Sequence, residues 1–204
     1  AFTMDENLSK SVIKVFVELH KKKLIYKAEK LVNWDTVLKT AISDLEVDQR
    51  EMNSKIYYIR YPIDKSSEFI TIATTRPETM LGDTAVAVNP KDERFKDYIG
   101  KKIKLPLTER EIPIISDEFV NVEFGTGCVK VTPAHDPNDF EMGQRHNLNF
   151  INIMNDDATL NENVPEKFRK ISREEARKLV VAEMESLNLL DKIEDYTNNI
   201  GFSE

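Results

Sequence analysis

Residues 74–84, Thr-Thr-Arg-Pro-Glu-Thr-Met-Leu-Gly-Asp-Thr, are the first of three segments that concentrate side chains able to do chemistry. A helix beginning here would present free N–H groups, which can hold an oxyanion or a phosphate. The structural alternative is a capping box, Thr75-x-x-Glu78, on one turn that ends at Gly82. That alternative leaves four polar side chains unexplained, so both interpretations stay open: Thr74, Arg76, Thr79 and Asp83.

Residues 124–132 form the second segment, in which a glycine-marked turn leads into a strand carrying Lys130. The amine of Lys130 could serve a site, or its stem could pack while its charge reaches solvent. The next nine residues form the third segment and contain His135, Asp136 and Asp139. The structural alternative there is a helix in which Asp136 is the N-cap and Asp139 interacts favourably with the helix dipole.

Metal and thiol chemistry are weighed against the same residues. His135, Asp136, Asp139 and His146 could suggest a metal, but no pair of histidines has the His-x-x-x-His spacing of a helical zinc site. We therefore predict no metal site. Cys128 and a histidine could act as nucleophile and base. A lone cysteine in a strand is more typical of a small core residue, and we predict that role.

The composition is that of a globular protein in a reducing compartment. The chain has 204 residues, 40% of them hydrophobic, and one cysteine, so it cannot form an internal disulfide. No apolar run approaches the roughly 18 residues that span a bilayer, and we expect a cytoplasmic protein without a membrane partner. The net charge of −7 argues against a chain that binds nucleic acid through its own field.

The elements that would position these segments are mostly short strands. Helices are predicted at residues 4–22, from a Thr3-x-x-Glu6 capping box, at 136–147 and, from Ser172-x-x-Glu175, at 172–187. Short apolar or alternating runs predict the strands: residues 24–26, 31–34, 42–47, 55–63, 69–74, 84–88, 102–105, 112–115, 119–122, 128–132 and 151–154. Many short strands with peripheral helices predict an α+β fold, a distorted β-barrel. The polar stretch near residue 48 suggests a connecting segment at 1–48 and a main domain at 49–204.

Residues 74–90 and 124–148 resemble the connective-peptide editing domain of class I aminoacyl-tRNA synthetases. The paired blocks Thr-Thr-Arg-Pro-Glu-Thr and Thr-Pro-Ala-His-Asp-Pro-Asn-Asp are highly specific for that family. Within it the sequence is most similar to the valyl-tRNA synthetases, as are residues 32–35, 40–44 and 194–201. The motifs of the synthetic site, His-x-Gly-His and Lys-Met-Ser-Lys-Ser, are missing, so the chain resembles only the inserted domain.

The resemblance implies hydrolysis of threonine attached by mistake to valine tRNA. It assigns the catalytic work to Asp139, as anchor of the α-ammonium group, to Asp136, as partner of the threonine hydroxyl, and to Lys130, as a donor to the oxyanion. An ordered water molecule is expected to attack the ester. Six further residues are implied to bind substrate, with Arg76 and Thr79 at the adenosine end and Phe124 lining the pocket: Thr74, Thr75, Arg76, Thr79, Phe124 and His135.

The same resemblance implies partners and cofactors. The expected partners are the 3′ acceptor end of valine tRNA, the mischarged threonine and the rest of the synthetase chain. This domain would need no cofactor, whereas the full-length enzyme would use ATP and Mg. Two rival hypotheses are an inert tRNA-docking module and an editing domain of the isoleucyl type. The first does not explain two carboxylates near Lys130, and Arg76-Pro77-Glu78 argues against the second.

Overall fold

A computed structural model describes residue 2 and residues 4–203, which fall into two compact units, Ala1–Lys30 and Leu31–Glu204. No helix in the described part of the chain is long and apolar enough to cross a membrane. The predicted division between residues 1–48 and 49–204 concerns how the chain would join a longer protein, and it stays a prediction.

The first unit contains one helix, α1 (Glu6–Lys21), within the predicted range of 4–22. Its N-cap is Asp5, which makes no side-chain capping hydrogen bond. The capping box predicted from Thr3 lies outside the described residues. Apolar side chains recur at helical spacing along α1 and leave Val12, Val15 and Phe16 largely exposed.

The second unit contains three sheets. The first is a small antiparallel pair, β1 (Asn33–Asp35) and β2 (Thr40–Ile42). In the second, the long β3 (Val47–Pro62) lies between β4 (Phe69–Thr74) and β9 (Leu190–Ser203). The third has the order β6-β7-β5-β8, with its strands at the following positions: β5 (Ala85–Val88), β6 (Lys102–Lys104), β7 (Glu111–Ser116) and β8 (Cys128–Val131).

The sheets give a mixed α/β architecture rather than a closed barrel. Within residues 31–203, no sheet pairs its first strand with its last, and only an isolated bridge between Ile63 and Ile103 connects the two larger sheets. The predicted distorted barrel is therefore not confirmed. Two helices, α2 (Pro137–Arg145) and α3 (Arg173–Ser186), accompany the sheets near the predicted positions.

The core forms where alternating strands and one face of α3 bury their apolar side chains. Tyr61 of β3 and Ile72 of β4 pack in one buried cluster with Phe168, and with Val180 and Met184 of α3. Burial of such side chains stabilises by about 1.5–3 kcal/mol each. A 3-10 helix, Pro77–Gly82, links this cluster to the third sheet and is buried throughout.

Several predicted strands are wrong, and one long strand was missed. Residues 24–26 and 119–122 are not in strands, residues 44–46 form a 3-10 turn, and residues 151–154 contribute only an isolated bridge at Met154. The missed strand is β9, which is mostly polar and exposed and so lacks an apolar alternation. Its strand conformation comes from antiparallel pairing with β3 along most of that strand.

Candidate active site

Lys130 and Asp83 form a buried ion pair at the centre of the candidate site. Lys130 lies on β8, and its Nζ atom is 3.1 Å from Asp83 Oδ1 and 2.5 Å from Thr132 Oγ1. Asp83 follows the 3-10 helix and is fully buried, which raises the pKa of its carboxyl. Its oxygens also accept hydrogen bonds from Thr132 Oγ1 at 2.6 Å and from the Tyr61 hydroxyl at 2.8 Å. Three hydrogen bonds thus fix the position of the Asp83 carboxylate.

Asp139 lies beside this ion pair because α2 begins at Asp136. The Asp136 carboxylate accepts from the backbone N–H groups of Asn138 and Asp139, at 2.9 and 3.1 Å, as the predicted N-cap. Asp139 therefore falls in the first turn, where Oδ2 accepts from the backbone N–H of Thr132 at 2.8 Å. Its other oxygen, Oδ1, has no hydrogen-bond partner among residues 4–203. Oδ1 is not among the fully buried atoms that lack a partner, so it remains accessible to a ligand.

Burial raises the pKa of Asp139 to about 6, although the charge of Lys130 and the Thr132 hydrogen bond lower it. A buried carboxylate with one free oxygen is costly to ionise. A bound cation that contacted Oδ1 would relieve that cost. When all three are ionised, the ammonium of Lys130 and the carboxylates of Asp83 and Asp139 sum to a charge of −1. One further positive charge would neutralise this buried group.

The segment of residues 74–79 is held against the segment that contains His135. Arg76 Nη1 donates to the backbone carbonyl of His135 at 2.8 Å. Thr74 Oγ1 accepts from the Arg76 backbone N–H at 3.1 Å, and Thr79 Oγ1 donates to the Arg76 carbonyl at 2.9 Å. Thr79 is buried and its hydroxyl hydrogen is used within the segment. The Thr75 side chain is half-buried.

The capping box of Thr75 and Glu78, the structural alternative for this segment, does not form. The N-cap of the 3-10 helix is Arg76, without a side-chain capping bond. Glu78 is fully buried and binds Arg177 of α3 through two hydrogen bonds of 2.8 Å each. A carboxylate that is removed from water needs a charged partner, and Arg177 supplies one from 99 residues along the chain.

His135 is a neutral acceptor in this site. Its Nε2 atom accepts the backbone N–H of Ile153 at 3.0 Å, so the ring proton is on Nδ1. Burial, together with the positive charges of Arg76 and Lys130, lowers the pKa of His135 to about 4. His146 is instead bound to Asp117, with Nε2 2.9 Å from Oδ2.

The turn before β8 brings Phe124 near β4. Gly125 has φ +60°, and a side chain added there would place its Cβ 3.2 Å from the Cβ of Ala73, next to Thr74. A positive φ and this close approach both favour glycine. Phe124 is 55% exposed and lies on the surface of that turn.

The structure thus gathers most of the residues predicted for the site, and it adds others. Arg76, His135, Lys130 and Asp139 are linked by hydrogen bonds or by their mutual charges. Sequence reasoning singled out Asp83 as unexplained but missed its pairing with Lys130, and it missed Thr132 and Tyr61. An alternating strand places Lys130 and Thr132 on one face, and that spacing was the available signal.

A metal centre is not assembled from these groups. Across residue 2 and residues 4–203, no three His, Cys, Asp or Glu side chains are placed to hold a metal ion. Cys128 is buried, and burial raises its thiol pKa to about 12, which is unsuitable for a nucleophile near neutral pH. The arrangement can bind a cationic group at Asp139 and present the Lys130 ammonium to a developing negative charge.

Comparisons with known proteins place the chain among the aminoacyl-tRNA synthetases. It is 62% identical over its whole length to a valine–tRNA ligase of Pelagibacter ubique, and 60% identical over 96% of its length to one of Francisella tularensis. It spans only 23% and 21% of those two relatives. A leucyl-tRNA synthetase of Agrobacterium radiobacter, solved in a ternary complex with tRNA and LeuAMS, has a similar fold, with a TM-score of 0.54 at 16% identity over 98% of this chain and 34% of that one.

The family itself follows from a match to most of the chain. Residues 1–196 match the model of the class I tRNA synthetases of the I, L, M and V group. The two relatives that are 62% and 60% identical are both valine–tRNA ligases, so the chain is similar to the valyl members of that group. The chain therefore belongs to the class I tRNA synthetase family.

Proposed function

We propose that this chain is the editing domain of a valyl-tRNA synthetase and hydrolyses threonine that has been attached by mistake to valine tRNA. The observation that carries the proposal is Asp139, a buried carboxylate with one unpartnered oxygen beside the Lys130–Asp83 ion pair. Two findings support tRNA as the substrate: the relatives are valine–tRNA ligases, and the leucyl-tRNA synthetase of similar fold was solved in a complex with tRNA.

Asp139 binds the α-ammonium group of the aminoacyl ester. The ammonium carries the positive charge that the buried group of Lys130, Asp83 and Asp139 lacks, and Oδ1 of Asp139 is its acceptor. An ionised partner makes such a hydrogen bond about twice as strong as a neutral one. The anchor acts on any aminoacyl ester, so it contributes to rate and not to the choice between threonine and valine.

Asp136 discriminates between the threonyl and the valyl ester. Valyl-tRNA synthetase is itself the standard example of this limit, since a pocket shaped for valine rejects threonine by only about a hundredfold. A second site must therefore detect the hydroxyl. Asp136 uses Oδ1 for both capping hydrogen bonds, and its Oδ2 has no protein partner in the described part of the chain. That oxygen accepts the threonine hydroxyl, which valine cannot offer.

Lys130 and backbone N–H groups near Thr74 and Arg76 stabilise the oxyanion of the tetrahedral intermediate. Preorganised donors are effective because they need no rearrangement during the reaction, and the contacts of Lys130 with Asp83 and Thr132 hold its ammonium in place. An ordered water molecule attacks the ester carbon and loses one proton to solvent. The bond from that carbon to the ribose oxygen then breaks, and the ribose oxygen takes up one proton from solvent, which leaves a ribose hydroxyl and free threonine.

The remaining residues bind the end of the tRNA. Arg76 holds the terminal adenosine together with Thr74, Thr75 and His135, and the buried Thr79 acts by holding the Arg76 carbonyl. Phe124 offers an exposed side chain to the pocket. His135 contributes its Nδ1–H as a donor because Nε2 is already used. The domain works without a cofactor, while the complete synthetase, which would join this chain through residues 1–48, uses ATP and Mg for aminoacylation.

The test is deacylation of threonyl-tRNA and valyl-tRNA, both made with valine tRNA. The chain should release threonine faster than valine, and Asp139→Asn should abolish release of either while the protein stays folded. Binding of the tRNA without release would support the inert docking module. Preferential release of valine from isoleucine tRNA would support the isoleucyl type.

A further inference from the structure

A basic surface adjoins the candidate site although the chain as a whole is acidic. Residues 167–178 contain six Lys or Arg side chains and only two Glu side chains, in a chain with a net charge of −7. They cover the end of the loop before α3 and the start of that helix. The approach of a polyanion to an acidic protein requires such a local excess of positive charge.

Arg177 connects this surface to the site through Glu78. Its two hydrogen bonds of 2.8 Å occupy the Glu78 carboxylate, and Arg76 Nε lies 3.8 Å from the same carboxylate. Glu78 is fully buried, whereas the two arginine side chains are 34% and 41% exposed. One carboxylate thus serves two guanidinium groups, and the other carboxylates whose charges act on them are Asp136, on Arg76, and Glu174, on Arg177.

Arg173 adds a further positive charge at the same place. It precedes Arg177 by four residues on α3, so the two side chains share a face of the helix. Its ion pair, Nε to Glu174 Oε1 at 2.7 Å, is between side chains that are 46% and 64% exposed. Exposed pairs of this kind contribute little free energy, about 0–1 kcal/mol, and exchange readily for another anion.

Lys170 extends the surface towards the loop. Its ammonium has no ion pair or hydrogen bond with any of the residues at positions 4–203. By contrast, Lys167 is paired with Glu183 at 2.7 Å, and Arg169 donates to the Val164 carbonyl at 2.9 Å. Lys178 is exposed too, but it directly follows Arg177 and so lies on a different face of α3 from Arg173 and Arg177. The groups available to a ligand on the face of Arg173 and Arg177 are therefore Lys170 and Arg173, beside Arg76.

The geometry points to Arg173 and Lys170 as the binding site for a backbone phosphate of the single-stranded 3′ end of tRNA. This inference rests on the proposed function, which assigns the terminal adenosine to Arg76, so we expect the nucleotides before it on the neighbouring surface that carries Arg173. A guanidinium group matches a phosphate in shape and can donate two parallel hydrogen bonds to it. The surface lets an acidic domain accept the end of a polyanion.

The test is fluorescence anisotropy of a labelled RNA hairpin that ends in unpaired CCA, titrated with this chain at several salt concentrations. Arg173→Gln and Lys170→Gln should each weaken binding by about three- to tenfold and reduce the salt dependence by about 0.7 in log–log slope, the value for one phosphate on a single strand. Arg50→Gln is the matched control. Arg50 is an exposed arginine of β3, 3.5 Å from Asp48, so the variant removes the same charge elsewhere.

A second substrate separates this inference from the proposed function. Threonyl-adenosine has the ester and the adenosine but no phosphate, so Arg173→Gln should hydrolyse it at the wild-type rate. If the wild type hydrolyses neither threonyl-adenosine nor threonyl-tRNA, the proposed function fails and the anisotropy titration alone decides the inference. The inference is overturned if the wild type shows no salt-dependent binding, or if Arg173→Gln and Lys170→Gln bind as Arg50→Gln does.

Discussion

The Asp139→Asn substitution should raise stability while it removes activity. Burial raises the pKa of this carboxyl from an ordinary value of 3.8 to about 6 in the folded protein. Because the folded pKa is the higher one, ionising Asp139 costs stability as the pH rises from about 4 through 6. Each pKa unit corresponds to about 1.4 kcal/mol, so the cost is about 3 kcal/mol at pH 7.5 and about half of that at pH 5.

Asparagine removes this cost because it has no charge to bury and still offers an oxygen to the Thr132 N–H. We expect the variant to melt about 6–12 °C above the wild type at pH 7.5, from about 2–4 °C per kcal/mol for a domain of this size. The difference should shrink at pH 5. Deacylation of threonyl-tRNA should fall by about a hundredfold or more, because the α-ammonium group loses its charged partner.

The assay pairs melting curves at the two pH values with deacylation rates at pH 7.5. In the wild type, the rate should also fall as the pH is lowered through about 6 and Asp139 is protonated. If Asp139→Asn melts at or below the wild-type temperature at both pH values, the conclusion that ionised Asp139 destabilises the fold is refuted. A folded variant with an unchanged rate would remove Asp139 from the site.

Four further outcomes test other parts of the site. Asp136→Asn should keep its cap and its melting temperature, while the preference for threonyl over valyl ester narrows by about 1–3 kcal/mol; an unchanged ratio would assign discrimination elsewhere. His135→Gln should leave the pH profile between 5 and 8 unchanged, because the pKa of His135 is about 4. Arg177→Met should lower the unfolding free energy by about 1–3 kcal/mol, because Glu78 loses two hydrogen bonds and keeps only Arg76 at 3.8 Å, and adding Glu78→Gln should restore most of it, since no buried carboxylate then lacks hydrogen bonds. Deacylation should persist in excess chelator, and a rate that is lost on chelation and restored by zinc would contradict a metal-free site.

The sequence itself determined the elements whose signals are local. Asp136 and Pro137 begin α2, and Ser172 with Glu175 begins α3, because capping groups act within one turn of the helix. The alternation of apolar residues predicted β4 at its observed bounds. The two specific blocks around Arg76 and Asp139 were also sufficient to identify the family.

Tertiary structure alone decided the pairings between distant residues. The polar β9 is a strand because β3 supplies the hydrogen-bonding partners of its backbone. Glu78, for which a local capping box was one of two open interpretations, is buried and binds Arg177 instead. Lys130 meets Asp83 only when β8 lies beside the end of the 3-10 helix. A charge that folding removes from water must find its partner in space, and a local sequence pattern does not specify which distant residue that partner is.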